Sequence, residues 1–529
     1  MTYVTDPKTK AMPFKDEDDP RKNVTSEGRL DPVAVAIRLR PKVETDMASH
    51  FAPSDPKLDL SRTKPVKAIL KKRWLQFALI VPNQLIFWLV IFSGLIGTVV
   101  PGLNFATAIT WYIWFCIVFV LMVVVGRAWC VMCPFGGFGE WIQRKTFFKK
   151  TQKSLGFGLK YPKKLAAYGL VSSAVSFLVL TYIEEFFNIA GPGAPHDTAY
   201  MVLGIVAFAT ITFLVFERRT FCRYLCPLSA LIGSVGSMGS IAGFRTKDRN
   251  ACQSCSTKSC MRGGEEGYGC PWYTWVGSAD SNSLCGLCTE CYKSCPTDNI
   301  GLYAQAPLTS VIQPNKKRMD IAVVSAILLG LVVFQQVNAL SMFTSLDDWL
   351  NKQTHFPQYP NPIDYVGFIA LFALVPVAIY KVGAILFSKG TIATTDGTFM
   401  TKRSEFRNWF ISGSYALLPA IGADYFARQL PKFFKHATRI VPAVAHPFGG
   451  TAKALYNYRL LSDSHIVMVQ VAIMIIGTLA SLYAAAKISK RDLVLTNKGS
   501  KVAYAYFAVA ILAMSIPMTL LYIPMHAAN

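Results

Sequence analysis

The stretch that decides the organisation of this chain reads Cys252-x2-Cys255-x4-Cys260-x9-Cys270-Pro271, then Cys285-x2-Cys288-x2-Cys291-x3-Cys295-Pro296. It holds eight of the 13 cysteines in the 529-residue sequence. Its second half has the spacing of bacterial ferredoxins, in which three close cysteines bind one iron–sulfur cluster and the fourth binds a neighbouring cluster. Two-residue gaps let a tight loop direct successive thiolates at one cluster. The spacing therefore predicts two [4Fe–4S] clusters.

The interleaved order assigns four cysteines to each predicted cluster. The first cluster takes Cys252, Cys255, Cys260 and Cys295, and the second takes Cys270, Cys285, Cys288 and Cys291. The first half departs from the simplest run, because four residues follow Cys255 and a nine-residue insert precedes Cys270. Disulfides would need an oxidising compartment. Zinc accepts paired Cys-x2-Cys ligands, but zinc sites do not need the interleaved fourth cysteine.

Composition places these cysteines in a membrane protein. The sequence is 52% hydrophobic, more than a soluble chain of this length needs for its core. Runs near the roughly 20 residues needed to cross a bilayer recur along it. Nine spans are predicted, near 76–99, 109–125, 164–183, 200–216, 319–341, 364–387, 409–427, 466–486 and 503–523. The run at 409–427 is the weakest, because it contains Pro419 and Asp424.

The distribution of basic residues predicts the orientation of the spans. Lysines and arginines precede the first span, crowd the segment between the second and third, and follow the fourth. The alternate segments 100–108, 184–199 and 342–362 are uncharged or acidic. The N-terminus and the clusters should therefore lie in the cytoplasm of a prokaryote, with the chain passing several times through the inner membrane. A reducing cytoplasm also suits thiolate ligands.

One segment does not fit this alternation. Residues 428–465 should lie outside, yet they contain six lysines and arginines. The segment either lies along the membrane surface or changes the number of C-terminal spans. The net charge of +23 reflects mainly such flanking loops. It does not indicate nucleic-acid binding, since no DNA-reading motif organises it.

The membrane half contains an internal repeat that carries thiols. Spans one and two end in Arg127-Ala-Trp-Cys130-Val-Met-Cys133-Pro134, and spans three and four end in Arg219-Thr-Phe-Cys222-Arg-Tyr-Leu-Cys226-Pro227. Each unit is a helical hairpin followed by Arg-x-aromatic-Cys and a second cysteine before proline. We call these two stretches the Cys–Pro motifs. Their four thiols could hold a metal or third cofactor, cycle as a redox pair, or remain free and buried. Cys116, alone within a helix, is predicted to be a core residue.

Cys–Pro motifs at the ends of membrane hairpins, followed by a two-cluster ferredoxin stretch, resemble the NosR/NapH group of membrane iron–sulfur proteins, which also includes CcoG-type proteins. The resemblance covers about residues 75–305, and Cys222 to Leu228 is especially similar to NosR. It implies electron transfer between the quinone pool, the clusters and a partner enzyme. The first motif departs from the family, since two residues separate Cys130 from Cys133 where three are usual.

The chain lacks other features of that group and adds its own. Neither a flavin-binding domain before the first span nor an immunoglobulin-like domain at the end is evident, whereas about four further spans follow the fifth. His436, His446 and His465 lie in or beside the basic segment, but haem ligation is the less favoured interpretation because no two share a helix face. Asp424 is a functional candidate, since a carboxylate within the membrane is costly.

These observations predict a mainly α, polytopic membrane protein with an inserted, cytoplasmic α+β ferredoxin-like domain. The predicted domains are a disordered tail (1–70), a four-helix membrane core with both motifs (71–244), a two-cluster domain (245–310) and a C-terminal membrane region of about five spans (311–529). No phosphate-binding loop or dinucleotide fingerprint is evident, so any nicotinamide or flavin should belong to another subunit.

Two functions are consistent with the sequence. The first is an electron-transfer subunit of an oxidoreductase, similar to a quinol dehydrogenase, that works with lipid, quinone and a haem or flavin partner. The second is a CcoG-like assembly factor whose Cys222 and Cys226 reduce or transfer a metal. Catalytic residues, electron donor and acceptor are not indicated by the sequence.

Overall fold

The computed structural model describes residues 58–147, 155–190, 195–313, 317–338, 340–356, 359–387, 391–393, 402–450, 452–495 and 499–523. The described residues are 74% helical and include two small sheets. Among the described residues, seven helices are long and apolar enough to cross a membrane. The predicted mainly α, polytopic fold is therefore confirmed.

The first half is a set of helices joined by short loops. Its helices are α1 Lys64–Lys71, α2 Trp74–Ile96, α3 Phe105–Val125, α4 Trp129–Met132, α5 Pro134–Arg144, α6 Lys163–Ala166, α7 Val171–Phe186, α8 Pro195–Val215, α9 Phe221–Leu225 and α10 Pro227–Val235. Part of α3 and all of α9 are π-helical. Helices α2, α5 and α8 pack against one another, which brings the two Cys–Pro motifs to the same end of the bundle.

A small α+β unit follows α10 and contains the eight-cysteine stretch. Its elements are β1 Ile241–Thr246, α11 Arg249–Ser254, α12 Ser259–Arg262, α13 Glu290–Lys293 and β2 Ile300–Ala304. Strands β1 and β2 pair antiparallel, with Thr246 opposite Ile300. This pairing joins the first and last strands of the unit. The cysteine-bearing loops lie between these two strands in sequence.

The last residues of the predicted N-terminal tail contact this unit. Asp59 forms a bridge to Tyr303, and the Leu302 amide donates to the Ser61 hydroxyl at 3.3 Å. Helix α1 contributes Lys71, which pairs with Asp298 at 3.0 Å. These contacts hold residues 58–71 in place, while residues 1–57 lie outside the described part of the chain.

The second half is built around one long buried helix. Its elements are α14 Thr309–Ile312, α15 Met319–Val337, α16 Ser341–Thr354, α17 Pro362–Phe387, β3 Thr391–Ala393, α18 Lys402–His436, α19 Ile440–Ala445, α20 Lys453–Tyr456, α21 Asp463–Asp492, β4 Leu493–Leu495 and α22 Gly499–Leu520. Helix α18 packs against α15, α17, α21 and α22. All residues from 409 to 422 are buried, so α18 forms the centre of this region.

Two of the nine predicted spans form helices that are not among the seven candidates. Helix α7 has 16 residues, about 24 Å at 1.5 Å per residue, which is shorter than the hydrocarbon core of about 30 Å. Helix α18 is long, but its 35 residues include charged ends. Of the seven candidates, four lie in the C-terminal region, where about five were predicted.

Local pairing accounts for the charge of the unusual basic segment. Arg428 pairs with Glu185 at 3.6 Å, and Lys435 pairs with Asp463 at 2.6 Å. Lys432 lies over the Trp111 ring, 5.6 Å from its centroid. The first residues of the segment continue α18 to His436, and the short helices α19 and α20 follow. Because nearby acids and an aromatic ring offset its charge, the segment is a weak indicator of orientation.

The contact between α18 and α21 depends on Gly477. A Cβ at this position would lie 2.2 Å from the Ala423 Cβ and 3.1 Å from the Pro419 carbonyl oxygen. We expect Gly477→Val to lower the free energy of unfolding by about 1–3 kcal/mol, because overpacking forces neighbouring elements apart. The matched control is Gly367→Val in α17, where a Cβ meets no atom within 4 Å. Thermal unfolding in detergent measures both, and equal losses would contradict the close-packing explanation.

Candidate iron–sulfur and thiol sites

The first set of predicted cluster ligands lines one small cavity. Cys252, Cys255, Cys260 and Cys295 all face it, together with Trp275 and Pro296. The four thiols come from α11, the loop after it, α12 and the loop after α13. Burial and the charges of the neighbouring thiols raise the pKa of Cys260 to about 11. Four thiols around one enclosed space are the ligand set that a [4Fe–4S] cluster requires.

The second set of predicted ligands forms an adjacent group. Cys291 interacts electrostatically with Cys270, Cys288 and Cys285, and burial raises the pKa of the Cys291 thiol. The Cys270 amide donates to the Cys260 carbonyl at 2.8 Å, so the two groups share a stretch of paired backbone. The structure thus places the eight cysteines in two neighbouring groups of four. Their assignment as cluster ligands stays a prediction.

Glycine is required next to the second group. Gly243 in β1 has a φ of +86°, a conformation that side chains other than glycine rarely adopt. A Cβ there would lie 2.7 Å from the Cys285 sulfur. The strand therefore approaches the thiol closely only because it has no side chain at this point.

Hydrogen bonds reach the sulfurs of the first group. The Asn299 side-chain amide lies 3.4 Å from the Cys252 sulfur. The Asn299 backbone amide donates to the Cys295 sulfur at 3.3 Å. The Thr257 hydroxyl, 3.5 Å from Cys255, lowers the pKa of that thiol. Such bonds favour the charged sulfur and help to set the reduction potential of a bound cluster.

The two Cys–Pro motifs fold in the same way. Cys133 precedes α5 with φ −66° and ψ 125°, and Cys226 precedes α10 with φ −61° and ψ 123°. The proline in each motif is the first residue of its helix, where its fixed φ suits helical geometry. It also keeps the preceding cysteine extended. Each motif therefore places its second thiol at a helix N-terminus, where the helix dipole favours negative charge.

The four motif thiols converge. Cys222 interacts electrostatically with Cys226, Cys133 and Cys130. A Cβ on Gly136, in the first turn of α5, would lie 3.3 Å from the Cys222 sulfur. The first motif therefore lies directly against the second. The sequence identified the two motifs as a repeat, and the tertiary structure brings their thiols to one site.

A reciprocal pair of arginines joins the motifs. Arg127 of the first motif donates to the Cys222 carbonyl at 3.3 Å. Arg219 of the second motif donates to the Cys130 carbonyl at 2.8 Å. Both side chains are almost completely buried, with 1% and 0% of their surface exposed. Each half of the repeat thus holds the backbone of the other half's first cysteine.

Glu140 of α5 completes the arginine network. Its carboxylate accepts from the Arg219 Nε at 3.0 Å and from the Gln76 side chain at 3.1 Å, and it also pairs with Arg144. The sequence identified Arg127 and Arg219 as the first residues of the two motifs, but it did not indicate that they bond across the repeat. Glu140 is the one acidic residue between the second and third predicted spans, where basic residues are numerous. This isolation is the sequence feature that could have indicated a partner for a buried arginine.

Basic residues after α8 hold the cysteine-rich unit against the membrane half. Arg218 donates to the Met261 carbonyl at 2.6 Å and to the Cys270 carbonyl at 2.9 Å. Arg223 donates to the Trp272 carbonyl. Cys270 and Trp272 of the unit pack in one buried cluster with Cys222 of the second motif. One continuous buried cluster therefore contains a cysteine of the second group and thiols of both motifs.

An apolar cavity lies on the other side of the motif thiols. Its volume is about 140 Å³. Helices α2, α3, α7 and α8 and both motifs contribute to its wall, and Asn83, Thr110 and Cys226 are the polar or thiol-bearing residues among the apolar ones. Cys226 thus faces both the thiol group and the cavity. This cavity could not be predicted from the sequence, because its residues come from distant segments.

Three candidate functional residues of the second half, Asp424, His436 and His465, contact other side chains of the protein. Asp424 is buried and accepts from the Tyr522 hydroxyl at 2.6 Å and the Gln336 amide at 2.8 Å. His436 packs against the Tyr112 ring, with a centroid distance of 5.0 Å. His465 shares a hydrogen bond of 2.6 Å with Ser462. These contacts do not indicate a haem site.

In the described part of the chain, no group of three or more His, Cys, Asp or Glu side chains is arranged to hold a single metal ion. A [4Fe–4S] cluster has a different requirement, because each of its four thiolates binds a separate iron atom.

Comparisons with known proteins support iron–sulfur binding. The sequence matches the family described as "4Fe-4S binding domain" over residues 107–154 and 198–242. Each matched segment contains one Cys–Pro motif, and neither includes the stretch from Cys252 to Cys295. The chain is a multi-pass membrane iron–sulfur protein. Its chemistry is accordingly that of electron transfer.

One relative and the solved structures add little to this conclusion. An uncharacterized protein of Methanocaldococcus jannaschii is 29% identical over 192 residues, which is 34% of this chain and 74% of the relative. No solved structure matches the chain. The narrower resemblance to the NosR/NapH group stays a prediction.

Asn299 offers a test of the first cysteine group. We expect Asn299→Ala to make the reduction potential of the first cluster more negative, because it removes a hydrogen bond to Cys252. Iron content should remain unchanged. The control is Ser254→Ala in the same unit, where the lost hydroxyl bonds only backbone carbonyls. Redox titration followed by EPR measures both variants, and equal potentials would show that Asn299 does not act on a cluster.

Proposed function

We propose that this protein transfers electrons between a quinone in its membrane half and a partner redox protein, by way of two [4Fe–4S] clusters in its cysteine-rich unit. Clusters of this type accept and release single electrons when bound. The two groups of four thiols supply the ligands. The observation that carries the proposal is the unbroken contact from the second cysteine group, through Cys222, to the apolar cavity at Cys226.

The cavity has the character of a quinone site. Ligand sites for apolar molecules are concave and lined mainly by hydrophobic and aromatic side chains, with few polar groups. The aromatic side chains of Phe87, Trp114 and Phe135 supply such a surface here, and Asn83 and Thr110 offer hydrogen-bonding groups for a quinone oxygen. The location among membrane helices suits a substrate that dissolves in lipid.

The proposed location is the prokaryotic inner membrane, with the cysteine-rich unit in the cytoplasm. The basic residues around that unit support this orientation, although Arg218 and Arg223 also have structural roles in holding it. A partner that carries haem or flavin would exchange electrons with the first cluster, whose Cys255 and Cys295 are the more exposed of its ligands.

An assembly factor that transfers a metal through Cys222 and Cys226 is less favoured. Such a role requires that the metal leave the site for a partner. Cys222 is 9% exposed and belongs to the same buried cluster as Cys270 and Trp272. The packing suits a resident cofactor better than a metal in transit.

The electron-transfer function is tested with Cys288→Ala. Cys288 is buried in the second group, so its loss should remove one cluster signal from the EPR spectrum and abolish reduction of the remaining cluster by a quinol analogue. Cys116→Ala, in the core of α3, is the control and should retain both signals. Full quinol-linked reduction in Cys288→Ala would contradict the proposal.

The cavity is tested with two matched substitutions on α8. Ile205 lines the cavity, whereas Ile211 on the same helix is 61% exposed. We expect Ile205→Trp to fill the cavity and weaken binding of a quinone analogue more than about 10-fold, which is about 1.4 kcal/mol. Ile211→Trp should bind normally. Equal affinities, measured by quenching of bound-analogue fluorescence with iron content unchanged, would place quinone elsewhere.

A further inference from the structure

The Arg127 side chain is a buried cation that lacks a countercharge. It donates to the Ser283 carbonyl at 2.5 Å, to the Cys222 carbonyl and to the Ser229 hydroxyl. Within the described part of the chain, it has no carboxylate partner, unlike Arg219, which pairs with Glu140. An uncompensated buried guanidinium is strongly unfavourable. An anion at this place would remove that cost.

Arg127 and the neighbouring Trp272 each have a buried hydrogen-bond donor without a partner in the described part of the chain. Among the residues described, the Arg127 Nε and the Trp272 Nε1 are buried and make no hydrogen bond. The Arg127 guanidinium also lies over the Trp272 ring, 4.2 Å from its centroid. Arg127 interacts electrostatically with Cys226. Buried donors normally have acceptors, so the free Nε of Arg127, on a side chain that interacts with Cys226, indicates a missing negatively charged acceptor beside the motif thiols.

From these observations we infer that Cys130, Cys133, Cys222 and Cys226 bind a third [4Fe–4S] cluster, with Arg127 as its countercharge. Four thiolates around such a cluster give it a net negative charge. The N-termini of α5 and α10, which follow Cys133 and Cys226, also favour negative charge there. The matched segments of the 4Fe-4S binding domain family contain these cysteines. The third cluster would lie between the second group and the cavity.

This inference rests on the proposed function, because that function gives the third cluster its role in electron transfer. It can be tested separately by counting iron. After anaerobic reconstitution, the wild-type protein should contain about 12 iron and 12 acid-labile sulfide atoms per chain, which is four of each per cluster. Cys133→Ser/Cys226→Ser should contain about eight of each, with both signals of the cysteine-rich unit retained. The control Cys116→Ser should match the wild type.

Arg127 gives a second test that leaves all ligands in place. Arg127→Gln removes the charge and should yield about eight iron atoms or a third signal at a shifted potential, whereas Arg127→Lys should retain part of the third cluster. A wild-type count of about eight iron atoms would overturn the inference while leaving the two-cluster function intact. One zinc per chain that is lost with Cys133→Ser/Cys226→Ser would also overturn it. A wild-type count near zero would instead contradict the proposed function.

Discussion

The reciprocal hydrogen bonds of Arg127 and Arg219 are the constraint around which the first half of the protein is organised. Each arginine belongs to one Cys–Pro motif and donates to the first-cysteine carbonyl of the other. Because both guanidinium groups are buried, each would be costly without these acceptors. The two hairpins of the repeat can therefore bury their arginines only by docking against each other. That docking brings the four thiols together.

The cysteine-rich unit depends on the same arrangement. Arg127 also donates to the Ser283 carbonyl and lies over Trp272, so one side chain joins the first motif, the second motif and the unit. Arg218 adds bonds to the backbone at Met261 and Cys270. Basic residues that sequence rules assign to membrane orientation thus serve first as structural donors. Their two roles are compatible, since both place them where the unit meets the membrane.

The second half supports this assembly, and its described residues include no group of three or more His, Cys, Asp or Glu side chains that could hold a metal ion. Helix α18 occupies its centre, and Asp424 on that helix is held by Tyr522 and Gln336. Helix α18 also reaches the first half, because it packs against α3 and α10, and Arg428 pairs with Glu185 in the last turn of α7. The extra helices therefore enlarge the membrane surface around the hairpin repeat and fix its position.

Local sequence determined the features that depend on spacing and composition. Seven of the nine spans predicted from apolar runs correspond to helices long and apolar enough to cross a membrane, and the two Cys–Pro motifs were recognisable because proline restricts the residues beside it. The order of Cys252 to Cys295 predicted two thiol groups, since ligand spacing is a property of the chain itself. The sequence did not indicate that residues 58–71 contact the cysteine-rich unit, because Lys71 and its partner Asp298 are distant in sequence. Only the tertiary structure joined Cys130 to Cys222, buried Arg127 without a countercharge and formed the cavity beside Cys226, because these features arise where segments distant in sequence pack together.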